Sequence, residues 1–136
     1  MKKEKSLPKL KAELWKWFSL FIKLKYSKDY EYCNCYTCGQ RIKIGTLNCQ
    51  AGHYYTKKGY SALYFDENNV RPQCYHCNIN LSGNTVIFGE KLEQEIGSEE
   101  MNRLKEHRHD SIKLMKYDYL DLIDIYKIRI MDLRAE

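Results

Sequence analysis

Cys35 and Cys38, in Cys-Tyr-Thr-Cys-Gly, and Cys74 and Cys77, in Cys-Tyr-His-Cys-Asn, are the residues whose types and spacing most restrict the chemistry of this chain. Four thiolates in two Cys-x-x-Cys pairs close the tetrahedral shell of a structural zinc ion. The stretch between the pairs carries a Gly52-His53 step and Asn69, and Asn78 directly follows the last cysteine. A zinc knuckle has no need of these polar residues. Hydrolysis of a phosphodiester does. A neutral imidazole removes a proton from water near neutral pH. A hard cation such as Mg²⁺ neutralises the phosphate and the leaving 3′ oxygen, and it accepts an amide oxygen as a ligand.

The zinc reading has competitors. A redox Cys-x-x-Cys requires one pair after a strand in a βαβ setting, which the pattern lacks. Cys33 extends the first pair to Cys33-x-Cys35-x-x-Cys38 and could compete with Cys35, although the spacing of Cys35 and Cys38 fits a knuckle better. Cys49 reads as a small buried residue. His76 reads as an exposed helix residue, and His107 and His109, in a charged run, as surface side chains.

The elements that must position these groups follow from periodicity and charge. Leu7, Leu10, Leu14, Trp17, Phe18 and Phe21 recur at three- and four-residue spacing. They predict an amphipathic helix from Ser6 to Tyr26, with Ser6 as N-cap and Pro8 in the first turn. Residues 1–28 carry nine Lys against two Glu, a local charge of +7 in a chain of net charge +5. Lys9, Lys11, Lys16 and Lys23 of this segment are candidates for sequence-independent phosphate contacts, set against the plainer reading of a solvated lysine face. Residues 29–88 form the zinc-bearing centre, with short strands, including a β-prone run Tyr60–Phe65, and a helix starting near Cys74 or Tyr75. The chain becomes helical again after Asn84, and residues 89–136 form a helical extension: Glu90–Ile96 ended by Gly97, a segment capped by Ser98, and a helix from Asp110 or Ser111. In that last helix Ile112, Met115, Tyr119, Leu122, Tyr126 and Leu133 follow heptad spacing, widened by Ile123 and Ile130. They suit an internal packing face first and a dimer seam second. No apolar stretch approaches a membrane span and no secretory signal opens the chain, so the expected compartment is a reducing cytoplasm.

The order of His, Asn and Asn among the four cysteines resembles the HNH, or ββα-metal (His-Me finger), nucleases. That resemblance implies an α+β fold: a small zinc-bound ββα-metal core flanked by an N-terminal helix and C-terminal helices. It implies His53 as general base, Asn69 as the residue that orients it, and Asn78 as ligand of a catalytic Mg²⁺ or Mn²⁺, with zinc in a purely structural role. HNH enzymes usually have Asp before the base, and here that position is Gly52. Asp66, Glu67, Gln50 and Asn84 are the candidates for the missing oxygen. Alternatively His53 binds the metal and another group acts as base.

The finer motif order is Phe18-Ser19, Cys35-Tyr-Thr-Cys38-Gly, Gln50-Ala-Gly-His53-Tyr54, Leu63-Tyr-Phe-Asp-Glu-Asn-Asn69, Gln73-Cys74-x-x-Cys77-Asn78 and Leu81-Ser-Gly-Asn84. It resembles the NinG family of lambdoid phages, in which Gly-His-Tyr is the norm. This resemblance implies a structure-specific endonuclease on branched DNA, D-loops and Holliday junctions, in phage recombination. It carries over His53, Asn69, Asn78 and the four cysteines, and Asn84 besides. Paired cuts at a junction would favour a C2 homodimer. The competing reading is a non-catalytic zinc-stabilised DNA-binding module, which would have no use for a base beside a cation-binding amide.

Overall fold

The computed structural model describes residues 4–56 and 61–135. Helix α1 spans Leu7–Lys25. It starts where the sequence predicts: the Ser6 hydroxyl accepts from the Lys9 amide, and Pro8 sits in the first turn, where no N–H is needed. Leu10, Leu14, Phe18, Phe21, Ile22 and Leu24 are buried on its inner face.

Strands β1 (Tyr32–Asn34) and β2 (Arg41–Lys43) form an antiparallel pair around the first Cys-x-x-Cys. Strands β3 (Gln50–His53) and β4 (Val70–Gln73) form a second antiparallel pair, with Gln50 opposite Gln73 and His53 opposite Val70. The Tyr36 amide donates to the Pro72 carbonyl and ties the first knuckle to β4. The β-prone run at 60–65 is not the partner strand. Tyr60 lies outside the described residues, Ser61–Leu63 is a 3-10 turn, and a second such turn, Glu67–Asn69, leads into β4. The aromatic side chains that made this run look strand-like pack on α1 instead: Phe65 meets Phe18 edge-on at 5.5 Å.

The segment after Cys74 is one π-helical turn, His76–Asn80, rather than the start of a long helix. Ser82, Gly83 and Asn84 all have positive φ and break it. Helix α2 then runs over Thr85–His107 and is interrupted at Gly97 (φ 85°), where the sequence predicts the break. Helix α3 spans Lys116–Ala135, starting later than Asp110. The Asp118 carboxylate accepts from the Met115 amide and caps it there, while Asp110 pairs with His107 at 2.7 Å. Tyr119, Ile123, Tyr126 and Ile130 of α3 pack with the inner face of α1, so this stripe is an internal face. Ile112 and Met115 are exposed and take no part in it.

Candidate functional site

Two centres lie against the β3–β4 hairpin. In the first, the Sγ atoms of Cys35, Cys38, Cys74 and Cys77 all lie within 4.8 Å of one another. Four thiolates at the Zn–S distance of ~2.3 Å stand about 3.8 Å apart along a tetrahedral edge, and Cys38 and Cys74 are 3.7 Å apart. The donor set therefore fits a structural zinc ion. Cys33 belongs elsewhere: it faces Cys49 at 3.7 Å, and both are buried.

The surroundings are built for thiolates. Burial opposes charge on Cys35, yet hydrogen bonds from the Thr37 hydroxyl and from the Cys74, Cys38 and Thr37 amides outweigh it and bring the thiol to about 6. Burial pushes Cys74 up to about 12 and raises Cys38 as well. Thiolate ligands must shed their protons to bind a cation, which ties metal uptake to proton release. The Asn84 amide lies 3.7 Å from Cys77 Sγ, so Asn84 supports the thiolate shell.

The second centre is His53 and Asn78, which line one cavity of about 260 Å³ together with Ala51, Thr56, Ile79, Ser82 and Gly83. His53 is buried at the end of β3. Its Nε2 lies 2.9 Å from the Tyr64 carbonyl. A carbonyl only accepts, so Nε2 carries the proton and the basic lone pair of the neutral ring sits on Nδ1. Trp15 of α1 stacks on the imidazole at 5.0 Å and 17°, and Tyr64 flanks it at 5.0 Å. Sequence reasoning missed Trp15, because the aromatic stripe of α1 gives no sign of which strand it covers.

The Asn69 side chain bonds to backbone groups of Tyr55 and Leu63. Its oxygen accepts from the Tyr55 amide at 2.8 Å, and its nitrogen donates to the Tyr55 and Leu63 carbonyls at 3.0 Å. It braces the loop whose next carbonyl, that of Tyr64, holds His53. Asn69 is thus linked to His53 through this loop.

Asn78 is held by Gln50, whose Oε1 accepts from its amide nitrogen at 2.8 Å. The acidic candidates for a further cation ligand are engaged elsewhere. Asp66 pairs with Arg103 at 2.9 Å and caps the 3-10 turn at Asn68. Glu67 pairs with Arg129 and accepts from Tyr126. Among the lysines, Lys9, Lys11 and Lys16 are exposed and Lys23 is half-buried. Lys11, one turn before Trp15, places its ammonium 4.3 Å from the Tyr64 ring, beside the residue that holds His53.

Arg71 on β4 is 2% exposed and anchors the hairpin from behind. It pairs with Glu95 of α2 at 3.2 Å, and the Tyr26 and Tyr36 hydroxyls donate to the same carboxylate. Burial opposes ionisation of Glu67 and Glu95. Hydrogen bonds from Arg129 and Tyr126 to the first, and from Tyr26, Tyr36 and Arg71 to the second, outweigh it and hold both carboxyls below the usual range. Among the described residues, no helix is long and apolar enough to cross a membrane.

Three comparisons with known proteins bear on the chain. The family model described as Bacteriophage Lambda NinG protein matches residues 1–136. Protein ninG of Escherichia phage lambda is 32% identical over 91 residues, which cover 62% of this chain and 43% of that protein. Protein ninG of Salmonella phage P22 is 33% identical over the same length and shares. Protein ninG of Enterobacteria phage H19B is 37% identical over 71 residues, covering 50% of this chain and 35% of its own. The chain spans less than half the length of these relatives. No solved structure matches it.

Proposed function

The chain belongs to the NinG family of phage proteins, and from the site it builds we propose that it is a cation-dependent endonuclease of the HNH (ββα-metal) type acting on branched DNA in phage recombination. The observation that carries this reading is the meeting of His53 and Asn78 in one cavity beside the four-cysteine cluster. Zinc would fix the turn that presents Asn78, since Asn78 directly follows Cys77 and its amide donates to the Cys74 carbonyl. The Asn78 side-chain oxygen, turned by the Gln50 bond, would hold Mg²⁺ or Mn²⁺. When bound, that cation neutralises the scissile phosphate and the departing 3′ oxygen.

The chain's own residues do the rest. Tyr64 fixes the tautomer of His53, so Nδ1 takes the proton of the attacking water as oxygen adds to phosphorus and the P–O3′ bond breaks. Trp15 covers the ring and keeps its orientation. Lys11, Lys9 and Lys16 lie on the helix that covers the site and would bind backbone phosphates without reading bases. Branch shape would then supply the specificity, and two copies related by a twofold axis would cut a junction symmetrically.

The test incubates the zinc-loaded protein with a labelled four-way junction and with linear duplex of matched sequence, in Mg²⁺, Mn²⁺ or EDTA. We expect cation-dependent nicking near the branch that His53→Ala abolishes while binding is retained. Binding without cleavage in either cation would reduce the chain to a DNA-binding module.

A further inference from the structure

Gln73 presents an unusual oxygen. The residue is wholly buried at the end of β4, and its Oε1 is the single buried side-chain nitrogen or oxygen without a hydrogen-bond partner among the described residues. Its orientation is not arbitrary. Nε2 donates to the Gly83 carbonyl at 2.8 Å and to the Thr37 hydroxyl at 3.2 Å. Flipping the amide would set oxygen against the Gly83 oxygen, so Oε1 must point the other way.

Asn78 is fixed by the same logic. Gln50 donates through Nε2 to the Leu47 carbonyl at 3.1 Å, which turns its Oε1 toward Asn78 Nδ2. Asn78 Oδ1 is thereby aimed away from Gln50.

The two amide oxygens converge at Gly52. A Cβ built on that glycine would stand 1.9 Å from Gln73 Oε1 and 3.0 Å from Asn78 Oδ1. The two oxygens are therefore no farther apart than those lengths laid end to end, a bound that includes the roughly 3–4.2 Å separating two oxygen ligands of one Mg²⁺ ion. Both are acceptors, and each is locked by its own donor group, so they repel unless something positive lies between them. The ladder explains the meeting. Gln73 lies opposite Gln50, and Gly52 follows Gln50 on the same face two residues on. Any side chain at 52 would occupy the space that the Gln73 amide fills.

We propose that Gln73 Oε1 is a protein ligand of the divalent cation, delivered from β4 to the place where a residue 52 carboxylate would reach from β3. This rests on the reading that Asn78 Oδ1 binds that cation. The resulting protein donor pair is neutral. A cation held by two amides keeps its full charge for the phosphate, and its affinity rises when phosphate oxygens complete the shell. Cation and nucleic acid then load together.

Two experiments on the zinc-loaded full chain separate this proposal from the reading beneath it. In the first, Mg²⁺ is titrated to tens of millimolar while the side-chain carbonyl carbons are followed by NMR. The Gln73 Cδ and Asn78 Cγ resonances are expected to move along one saturation curve. Movement of Asn78 alone overturns the Gln73 ligand and leaves the Asn78 reading standing, and movement of neither overturns both. The second measures Mn²⁺ affinity by water proton relaxation for the parent, Gln73→Leu and Gln73→Glu, with zinc content and cooperative unfolding checked in parallel. Loss of the ligand in Gln73→Leu weakens Mn²⁺ by about tenfold or more. Gln73→Glu, which keeps the length and adds charge, tightens it several-fold. Should Gln73→Leu not fold, Gln73→Glu decides: a folded, zinc-loaded Gln73→Glu with unchanged or weaker Mn²⁺ affinity overturns the proposal.

Discussion

Replacing Gly52 with alanine adds one methyl group at the most crowded point of the hairpin. The new Cβ would lie 1.9 Å from Gln73 Oε1 and 2.8 Å from Gln73 Cδ. Both distances are below any real Cβ contact, so the Gln73 amide must retreat by more than about 1 Å. It has no open side to retreat to, because Nε2 is bonded to Gly83 and Thr37 and the residue is fully buried. Overpacking of this kind costs about 1–3 kcal/mol. Losing one of the two buried hydrogen bonds adds about 1 kcal/mol. Against this, alanine restricts the unfolded chain and returns about 0.4–1 kcal/mol, since the backbone at 52 is ordinary strand. The net expectation is a loss of about 2 kcal/mol, or a fall in Tm of roughly 6–10 °C for a chain of this size. Urea unfolding of the zinc-loaded protein measures it, with an unchanged m-value showing that the same surface unfolds. The cause is checked by combining Gly52→Ala with Gln73→Ala, which removes the atoms in the way. The double variant should be more stable than the sum of the single losses by about 1 kcal/mol or more. A Gly52→Ala protein as stable as the parent, or strict additivity of the two changes, would refute the packing argument.

Two further outcomes follow from the metal cluster and the buried arginine. Cys35→Ser should lose zinc and cooperative unfolding, whereas Cys33→Ser should keep one zinc per chain in a thiol-release metal assay, because Cys33 lies with Cys49 outside the cluster. Glu95→Gln should destabilise the protein by about 1–2 kcal/mol near pH 7, the charge-assisted value reduced for the part-exposed carboxylate beside the buried Arg71. The folded carboxyl is depressed. Its contribution is therefore fully present above the unfolded value of about 4.3 and disappears as pH falls through the lower folded value. The stability difference between parent and Glu95→Gln, followed by urea unfolding from pH 7 downward, should close below that range; a constant difference would contradict the assignment.

How much of this was legible in the sequence depended on whether the decisive partner was near in the chain. The start of α1 was readable because Ser6 and Pro8 are its own local signals. The cysteine cluster was readable because its spacing is chemistry in itself. β4 was not. Val-Arg-Pro-Gln carries a proline and little apolar pattern, and its strand partner lies about twenty residues back, while Tyr60–Phe65 had the stronger strand composition. The return to helix after Asn84 was readable, and α2 begins at Thr85, although Asn84 sits in the left-handed region and makes no side-chain cap there. Asp110 carried the stronger cap signal for α3, yet its carboxylate is spent on His107. His53 and Asn78 could be named from type and order. Trp15 over the imidazole, thirty-eight residues away in sequence, could not.

The same distinction explains why Gly52 looked like a defect. Along β3 alone the position lacks an oxygen, and the acidic residues nearest in sequence seemed the natural substitutes. The fold supplies an oxygen from across the ladder, and only a glycine leaves room for it. It also connects this oxygen to the zinc cluster. The Thr37 hydroxyl lies 3.4 Å from Cys35 Sγ and 3.2 Å from Gln73 Nε2, while Gly83, which accepts from Gln73, is bonded through its amide to the Cys77 carbonyl. Both bonds that aim the Gln73 amide thus run back to cysteines of the cluster, one in each Cys-x-x-Cys pair. Loosening the cluster would release the Gln73 amide. The four-cysteine cluster is therefore coupled to the Gln73 amide through both bonds that orient it.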